Sequence, residues 1–296
     1  MKILITGDWH LTDKQPENRI DDYAEAVLTK LQFIIDTAKE LGCCLIIQPG
    51  DLFDSPNPSY SLFSKVAKAI KRIHPIWVAT VWGQHDLRYR NKGDTALKAL
   101  EISCSGNLLL ELNDRFQDPV TIHSAGWEEA VPKPIDGKFN ILITHRMIVN
   151  EKIWEGQTDF DYANVFLLKH PFNLIVSGDN HKYFIAEHGK RLLVNCGSMM
   201  RSSINQIDHI PTLVFFDTDN PEGWYNIDIP IKHVKEVFNM ETVIKTQERD
   251  EKLDAFVSGL SENKEMGLSF GDNLSAYMKE NKIDSAVKDI IEEGMR

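Results

Sequence analysis

Short apolar runs alternate with stretches in which apolar side chains recur every three or four positions, and this alternation holds through about residue 215. Lys2–Thr6 is a β-rich run that stops at Gly7. Across Arg19–Leu41 the residues Ile20, Tyr23, Val27, Leu31, Ile34, Ile35 and Ala38 return at helical spacing, which predicts an amphipathic helix ended by Gly42. Cys44–Ile47 predicts a second strand, Tyr60–Ile73 a second amphipathic helix and Ile76–Val81 a third strand. Later strand-like runs are Val120–Ser124, Asn140–Thr144, Asn173–Ser177, Arg191–Asn195 and Pro211–Phe216. Helices alternating with strands early, and many strands late, predict an α/β sandwich with a mixed sheet. The pattern changes near Pro230, so the expected division is a domain over 1–230 and a smaller helical region over 231–296. That tail carries three short amphipathic patterns, centred on Leu253–Leu260, Leu274–Met278 and Ile283–Ile291, expected either to pack as core or to dock a partner.

Metal-capable residues sit just after several predicted strands. Asp8 and His10 follow the first, Asp51 and Asp54 the second, and Gln84, His85 and Asp86 the third. His145 follows Asn140–Thr144, and Asp179 with His181 follows Asn173–Ser177. Ligand sites in open α/β sheets form beyond the carboxyl ends of strands, so these loops can converge. The residue types suit phosphodiester hydrolysis. The ester is anionic and repels hydroxide, and two cations about 3.5–4 Å apart stabilise both its attacking and its leaving oxygens. A bridging carboxylate with mixed imidazole and oxygen ligands suits manganese, iron or zinc. In Asp8-Trp9-His10, alternation puts two side chains on the same side of an extended segment.

In this order the strings GDWHL, GDLFD, GQHD, ITH and SGDNH resemble the five motifs of the calcineurin-like metallophosphoesterases, over roughly residues 1–217. GDWHL and GDLFDSPNPSY look like the SbcD branch, the nuclease subunit that partners the SbcC ATPase, and NCGSMMRSS is similar to the turn after that family's last motif. The compact length and helical tail resemble recombination nucleases of tailed phages. The resemblance implies a β-sandwich flanked by helices, with a small C-terminal helical or cap region. It also implies two divalent ions, manganese first and magnesium as the alternative. Asp8, His10, Asp51 and His181 would hold one ion, with Asp51 bridging, and Gln84, His145 and Asp179 would complete the other. His85 would contact the scissile phosphate or protonate the leaving oxygen, and Asp86 is placed to orient His85. DNA and an SbcC-like ATPase are the implied partners, and a second copy of the chain is a further candidate.

Two positions depart from the family pattern, Gln84 in place of Asn and Asp179 in place of His, and both fall on the second ion. Gln keeps the amide carbonyl but adds a methylene. Asp exchanges a neutral nitrogen for a shorter anionic oxygen, favouring harder ions. Restoring asparagine at position 84 is therefore expected to tighten the second ion. Outside the motifs, Arg88-Tyr89-Arg90-Asn91-Lys92 reads either as a solvated loop or as a phosphate-tracking segment with a stacking aromatic. Arg201 reads as a phosphate contact or a salt bridge, and Asp54 either supports the ligands or caps the turn before Ser55-Pro56.

The formal charge of −11 argues against a protein that coats nucleic acid unaided, though not against an enzyme whose site is made positive by metal. Four cysteines without a CxxC pair suggest free thiols in a reducing cytoplasm, bacterial or phage-infected, and no apolar run approaches the length of a membrane span. The chain has neither a GxSxG elbow nor a P-loop, so any ATP hydrolysis must come from a partner. Against the nuclease stand two other readings: a phosphodiesterase or phosphatase acting on a small nucleotide or phosphoprotein, and a catalytically weak scaffold.

Overall fold

The computed structural model describes residues 1–110, 112, 118–153, 157–245, 249 and 278. The chain separates into two compact units, Met1–His233 and Val234–Arg296. Apart from Met278, the three amphipathic patterns of the tail lie outside the described residues.

In the first unit, β1 (Lys2–Ile5), β2 (Leu45–Gln48), β3 (Trp77–Thr80) and β4 (Leu108–Leu110) run parallel. β12 (Thr212–Asp217) and β13 (Asn220–Asp228) extend that sheet antiparallel, in the order β13-β12-β1-β2-β3-β4. A second sheet has the order β10-β11-β9-β6-β5. In it β5 (Val120–Ala125), β6 (Phe139–His145), β9 (Leu174–Gly178) and β11 (Arg191–Asn195) are parallel, and β10 (Phe184–His188) is antiparallel. A short ladder pairs β7 (Ile148–Val149) with β8 (Asp161–Tyr162).

Period-two alternation explains why the apolar runs are continuous. Ile3 and Ile5, Leu45 and Ile47, Ile141 and Ile143, and Leu174 and Val176 meet in one buried cluster between the two sheets. The intervening Leu4, Ile46 and Val78 face outward, onto α1 (Tyr23–Glu40), α2 (Tyr60–Lys71) and α3 (Ala96–Ser103). Leu142, Ile175 and Leu193 face the other way, onto α4 (Ala163–Lys169). A strand covered on both faces needs apolar residues at every position, whereas one face in water would leave polar residues at alternate ones. The result is four layers, helices–sheet–sheet–helix.

The helices begin at side-chain caps. Asp22 accepts from the N–H of Glu25 at 2.9 Å, Ser59 from Leu62 at 3.1 Å and Thr95 from Lys98 at 3.3 Å. The Asp22 cap starts α1 four residues later than the hydrophobic spacing predicts, and Ile20, ahead of the cap, is 59% exposed. Strand β13 escapes the pattern because its side chains are mostly exposed and polar. Among the described residues, no helix is long and apolar enough to cross a membrane.

Ile143 lies between the sheets and Ile102 is 69% exposed on α3. Ile143→Ala should cost about 2–5 kcal/mol through lost burial and a cavity. Ile102→Ala should stay within about 0.5 kcal/mol. Urea unfolding followed by circular dichroism checks both.

Candidate metal centre

The parallel strands bring the ligands to one place, because β1, β2 and β3 in one sheet and β6 and β9 in the other all end there. Asp8, Asp51 and Gln84 follow the first three strands, His145 is the last residue of β6, and Asp179 follows β9. Asp8 is 1% exposed and Asp51 fully buried. The N–H of Asp179 donates to Asp8 Oδ2 at 2.9 Å, and that of His85 to Asp51 Oδ1 at 2.8 Å. Among the buried atoms of the described residues without a hydrogen-bond partner are Asp8 Oδ1, Asp51 Oδ2, Gln84 Oε1 and His145 Nε2, which meet here. Burying such groups unpaired is costly, and native structures rarely tolerate it without an ion or water.

The imidazoles complete the convergence. His145 Nδ1 lies 2.8 Å from the Pro49 carbonyl, so Nδ1 donates there and Nε2 faces Asp51 Oδ2 at 3.3 Å. A metal-binding histidine is commonly fixed by such a backbone bond. His10 Nε2 lies 3.6 Å from Asp51 Oδ2, and His181 Nε2 lies 3.6 Å from Asp8 Oδ2. The two Nε2 atoms are 3.0 Å apart. Three sets of side chains have ligand atoms within 4.8 Å of one another: Asp8, His10 and His181; His10, Asp51 and His85; and Asp8, Asp51 and His145. Carboxylate, amide and imidazole ligand atoms that converge in this way fit a divalent cation.

The loops reach this geometry through unusual backbone. His10, Asp51 and Asp179 have φ of 43°, 49° and 75°, in the left-handed region. Glycines let neighbouring chains close in. A Cβ on Gly83 would lie 2.1 Å from Asp51 Oδ1, and one on Gly178 would lie 2.4 Å from Asp8 Oδ1.

Titration follows the crowding. Burial raises Asp8 well above the usual carboxylate range, with Asp51 and Asp179 adding to the rise. Burial also acts on Asp51, but His145, His10 and His85 outweigh it and hold the group at about 2. Burial pushes His145 down, yet Asp51, Asp8 and Asp179 lift it to about 10. His181 reaches the rim, but desolvation and the facing His10 push it down to about 4.

Several residues sit otherwise than the sequence suggests. Asp86 does not orient the His85 ring. It is buried, and its carboxylate accepts the N–H groups of Leu52, Phe53 and Gly83 at 3.1–3.2 Å. Burial and nearby Asp51 raise it to about 7. Its place is therefore beneath the Asp51 loop. Asp54 is the residue beside His85: its carbonyl lies 3.1 Å from His85 Nδ1, and its carboxylate 3.5 Å from His10 Nδ1. Arg201, expected as a phosphate contact or a salt bridge, has no salt-bridge partner among the described residues. It is 4% exposed, and its guanidinium donates to the carbonyls of Ile207 and Lys232. Arg88 and Tyr89 are exposed, whereas Arg90 pairs with Glu128 at 3.4 Å and Lys92 with Glu129. The two departures from the family pattern touch: Gln84 Nε2 donates to Asp179 Oδ1 at 2.8 Å, leaving the Gln84 carbonyl oxygen unpaired. No pattern in one sequence marks two positions 95 residues apart as a pair.

A metal at His145 Nε2 must displace a proton that the surrounding carboxylates favour. The raised pKa keeps that proton on well above the ordinary imidazole range and releases it only as pH rises through about 10. Manganese affinity should therefore climb across pH 6–9, by up to about tenfold per unit for each proton displaced. Calorimetry in buffers of different ionisation enthalpy should record proton release, and pH-independent affinity would contradict it. The Gln84–Asp179 bond reverses the expectation for asparagine at 84, whose shorter amide leaves Asp179. Gln84→Asn alone should weaken manganese binding about tenfold, the scale of a lost supporting bond. Adding Asp179→His should recover most of it, as a coupled pair does. Metal content by elemental analysis at several manganese concentrations reads both.

The structure resembles solved proteins of the same architecture. A putative 5′-nucleotidase from Staphylococcus aureus aligns over 79% of this chain and 55% of its own, with TM-score 0.52 and 12% identity. A Thermus thermophilus protein aligns over 77% of this chain and 99% of its own, with TM-score 0.51 and 12% identity. An archaeal phosphodiesterase covers the same shares at 16% identity, with TM-score 0.44. No curated protein matches the chain. The family described as calcineurin-like phosphoesterase matches residues 1–183, and with its sandwich and metal-ligand clusters the chain belongs to that family, as a metal-binding phosphoester hydrolase.

Proposed function

We propose that the chain is a two-metal DNA nuclease of the SbcD type. The observation that carries the reading is a protonatable ring anchored to the metal centre. The N–H of His85 is bonded to Asp51, the ring's Nδ1 is engaged by Asp54, and its Nε2 has no protein partner among the described residues. The adjoining Arg88 and Tyr89, both exposed with Tyr89 at 95%, support a strand passing over the same motif.

When bound, two divalent ions, manganese before magnesium, supply the Lewis acidity and activated water that an anionic diester requires. Asp8, His10, Asp51 and His181 would hold one ion. Gln84 through its carbonyl oxygen, His145 and Asp179 would hold the other, with Asp51 shared. Asp54 holds the His85 ring so that Nε2 can donate a proton to the leaving oxygen. Asp86 keeps the Asp51 loop in place from below. Duplex opening falls to an SbcC-like ATPase, since the chain has no P-loop. The residues beyond Glu248 are our candidate for docking it, and a second copy of the chain is a further candidate partner. The second reading, a phosphodiesterase acting on small nucleotides, draws on the partly open cavity beside His10 and His181.

Manganese-dependent release of nucleotides from linear DNA, lost in chelator, tests the reading; hydrolysis of small nucleotides with none of DNA would favour the second. His85→Ala should keep its metals and lose about 10²–10⁴-fold on DNA, whose leaving oxygen needs a proton. A bis(nitrophenyl) ester, with a good leaving group, should suffer less. Equal losses on both would assign His85 to charge stabilisation instead.

A further inference from the structure

In strands covered on both faces a polar side chain is out of place, yet the ends of β1, β2 and β3 carry a row of them. Thr6, Gln48 and Thr80 are 1%, 0% and 0% exposed. By alternation they continue the outward faces of Leu4, Ile46 and Val78, just before the loops that carry Asp8, Asp51 and Gln84. Gln48 is the central member: β2 lies between β1 and β3, and Thr80 is its register partner on β3. It belongs to none of the five motifs.

The Gln48 amide closes a ring on the backbone two residues ahead. The N–H of Gly50 donates to its Oε1 at 3.2 Å, its Nε2 donates to the Gly50 carbonyl, and the Thr80 hydroxyl donates to the same Oε1. Gly50 has a φ of 103° and Asp51 one of 49°, so the chain bends at two successive residues of positive φ. Between Gln48 and Gly50 stands Pro49, whose carbonyl takes the 2.8 Å bond from His145 Nδ1. The His145 ring packs on the bend itself, since a Cβ on Gly50 would lie 2.5 Å from His145 Nδ1. The bend that Gln48 pins therefore sets two things at once. It fixes the point from which the Asp51 side chain departs, and it fixes the carbonyl that turns His145 Nε2 toward Asp51 Oδ2.

We propose that Gln48 is a positioning residue of the metal centre, holding Asp51 and His145 in place through the bend at Pro49 and Gly50. An amide meets the demand at neutral pH where a carboxylate or an alkyl chain does not. Gly50 is buried, so its N–H needs an acceptor and its carbonyl a donor, and the glutamine side chain carries one of each. An apolar side chain of the same length would fill the space but leave both backbone groups unpaired, and the chain could satisfy them only by changing the bend. If packing alone mattered, this position would be filled as Leu4, Ile46 and Val78 are, because burying an amide without a task is unfavourable. The inference rests on Asp51 and His145 being metal ligands, and it holds whether or not DNA is the substrate.

Manganese titration of the full chain, followed by electron paramagnetic resonance with urea unfolding run beside it, tests the assignment. Gln48→Met, which keeps the length of the side chain, should weaken manganese binding by about 10–100-fold. Ile46→Ala, on the same face of the same strand, opens a cavity and should lower stability at least as much, yet leave the affinity of the folded protein within about twofold. Because Gln48 acts through the Pro49 carbonyl, His145→Ala should cost less affinity in Gln48→Met than in the wild type, whereas His145→Ala and Ile46→Ala should add. Thr80→Val removes one bond to Gln48 and leaves the pair at Gly50, so it should weaken binding by about threefold to fivefold, and it carries the test if Gln48→Met does not fold. Wild-type affinity in the folded variant overturns the proposal, as does a loss that Ile46→Ala matches or full additivity between Gln48→Met and His145→Ala. A wild-type chain that binds no manganese overturns instead the reading of Asp51 and His145 as ligands.

Discussion

Asp8 and Asp51 are two carboxylates withdrawn from water within reach of one another, and much of the architecture is what that burial demands. Taking one such charge out of water costs several kcal/mol after relaxation, roughly, and two of like sign repel. The protein meets the demand with backbone N–H donors from Asp179 and His85 and with a ring of imidazoles. Those donors and rings come from four strand ends in two sheets, so the sandwich must be closed before the carboxylates are satisfied. The close approaches at Gly83 and Gly178 express the same demand, because a side chain at either would occupy the carboxylates' space. Stability of the sandwich and competence of the site are thus parts of one arrangement.

Charge is distributed in the same spirit. The chain as a whole is acidic, yet its buried cations gather on one side of the centre, where Arg19, Lys30 and Arg201 are spent on main-chain carbonyls. Net charge governs long-range attraction, which salt screens over about 10 Å at 0.1 M. The field within a walled site is set by its nearest groups and by any ion it holds.

Much of the fold was legible because the sheets are covered on both faces, which leaves unbroken apolar runs such as Lys2–Thr6 and Asn140–Thr144. Strand β13 was not, since exposed strands such as Asn220–Asp228 carry no such run. Helices α3 and α4, of eight and seven residues, are too short for helical spacing to stand out. The candidate ligands were legible because each sits at a strand's end. Their supports were not. Asp86 adjoins His85 in sequence, yet its side chain turns to Leu52 and Phe53, and a three-residue 3₁₀ turn separates the directions of neighbours. Arg201 read as a phosphate contact or a salt bridge because sequence does not show that Ile207 and Lys232 bring carbonyls to it. The Gln84–Asp179 bond is a contact across the sandwich, visible only once both sheets are folded.

The left-handed backbone at His10, Asp51 and Asp179 has a consequence for how this protein can change. Each such residue carries strain of roughly 1–3 kcal/mol that the surroundings must impose. Glycine at any of them would relax the chain while deleting the side chain that converges on the centre. Selection for thermal endurance and selection for turnover therefore pull in opposite directions at these three codons, while across the inter-sheet core they pull together. A laboratory lineage evolved only for heat resistance would be expected to lose the centre first there, and to keep a fold that no longer needs it.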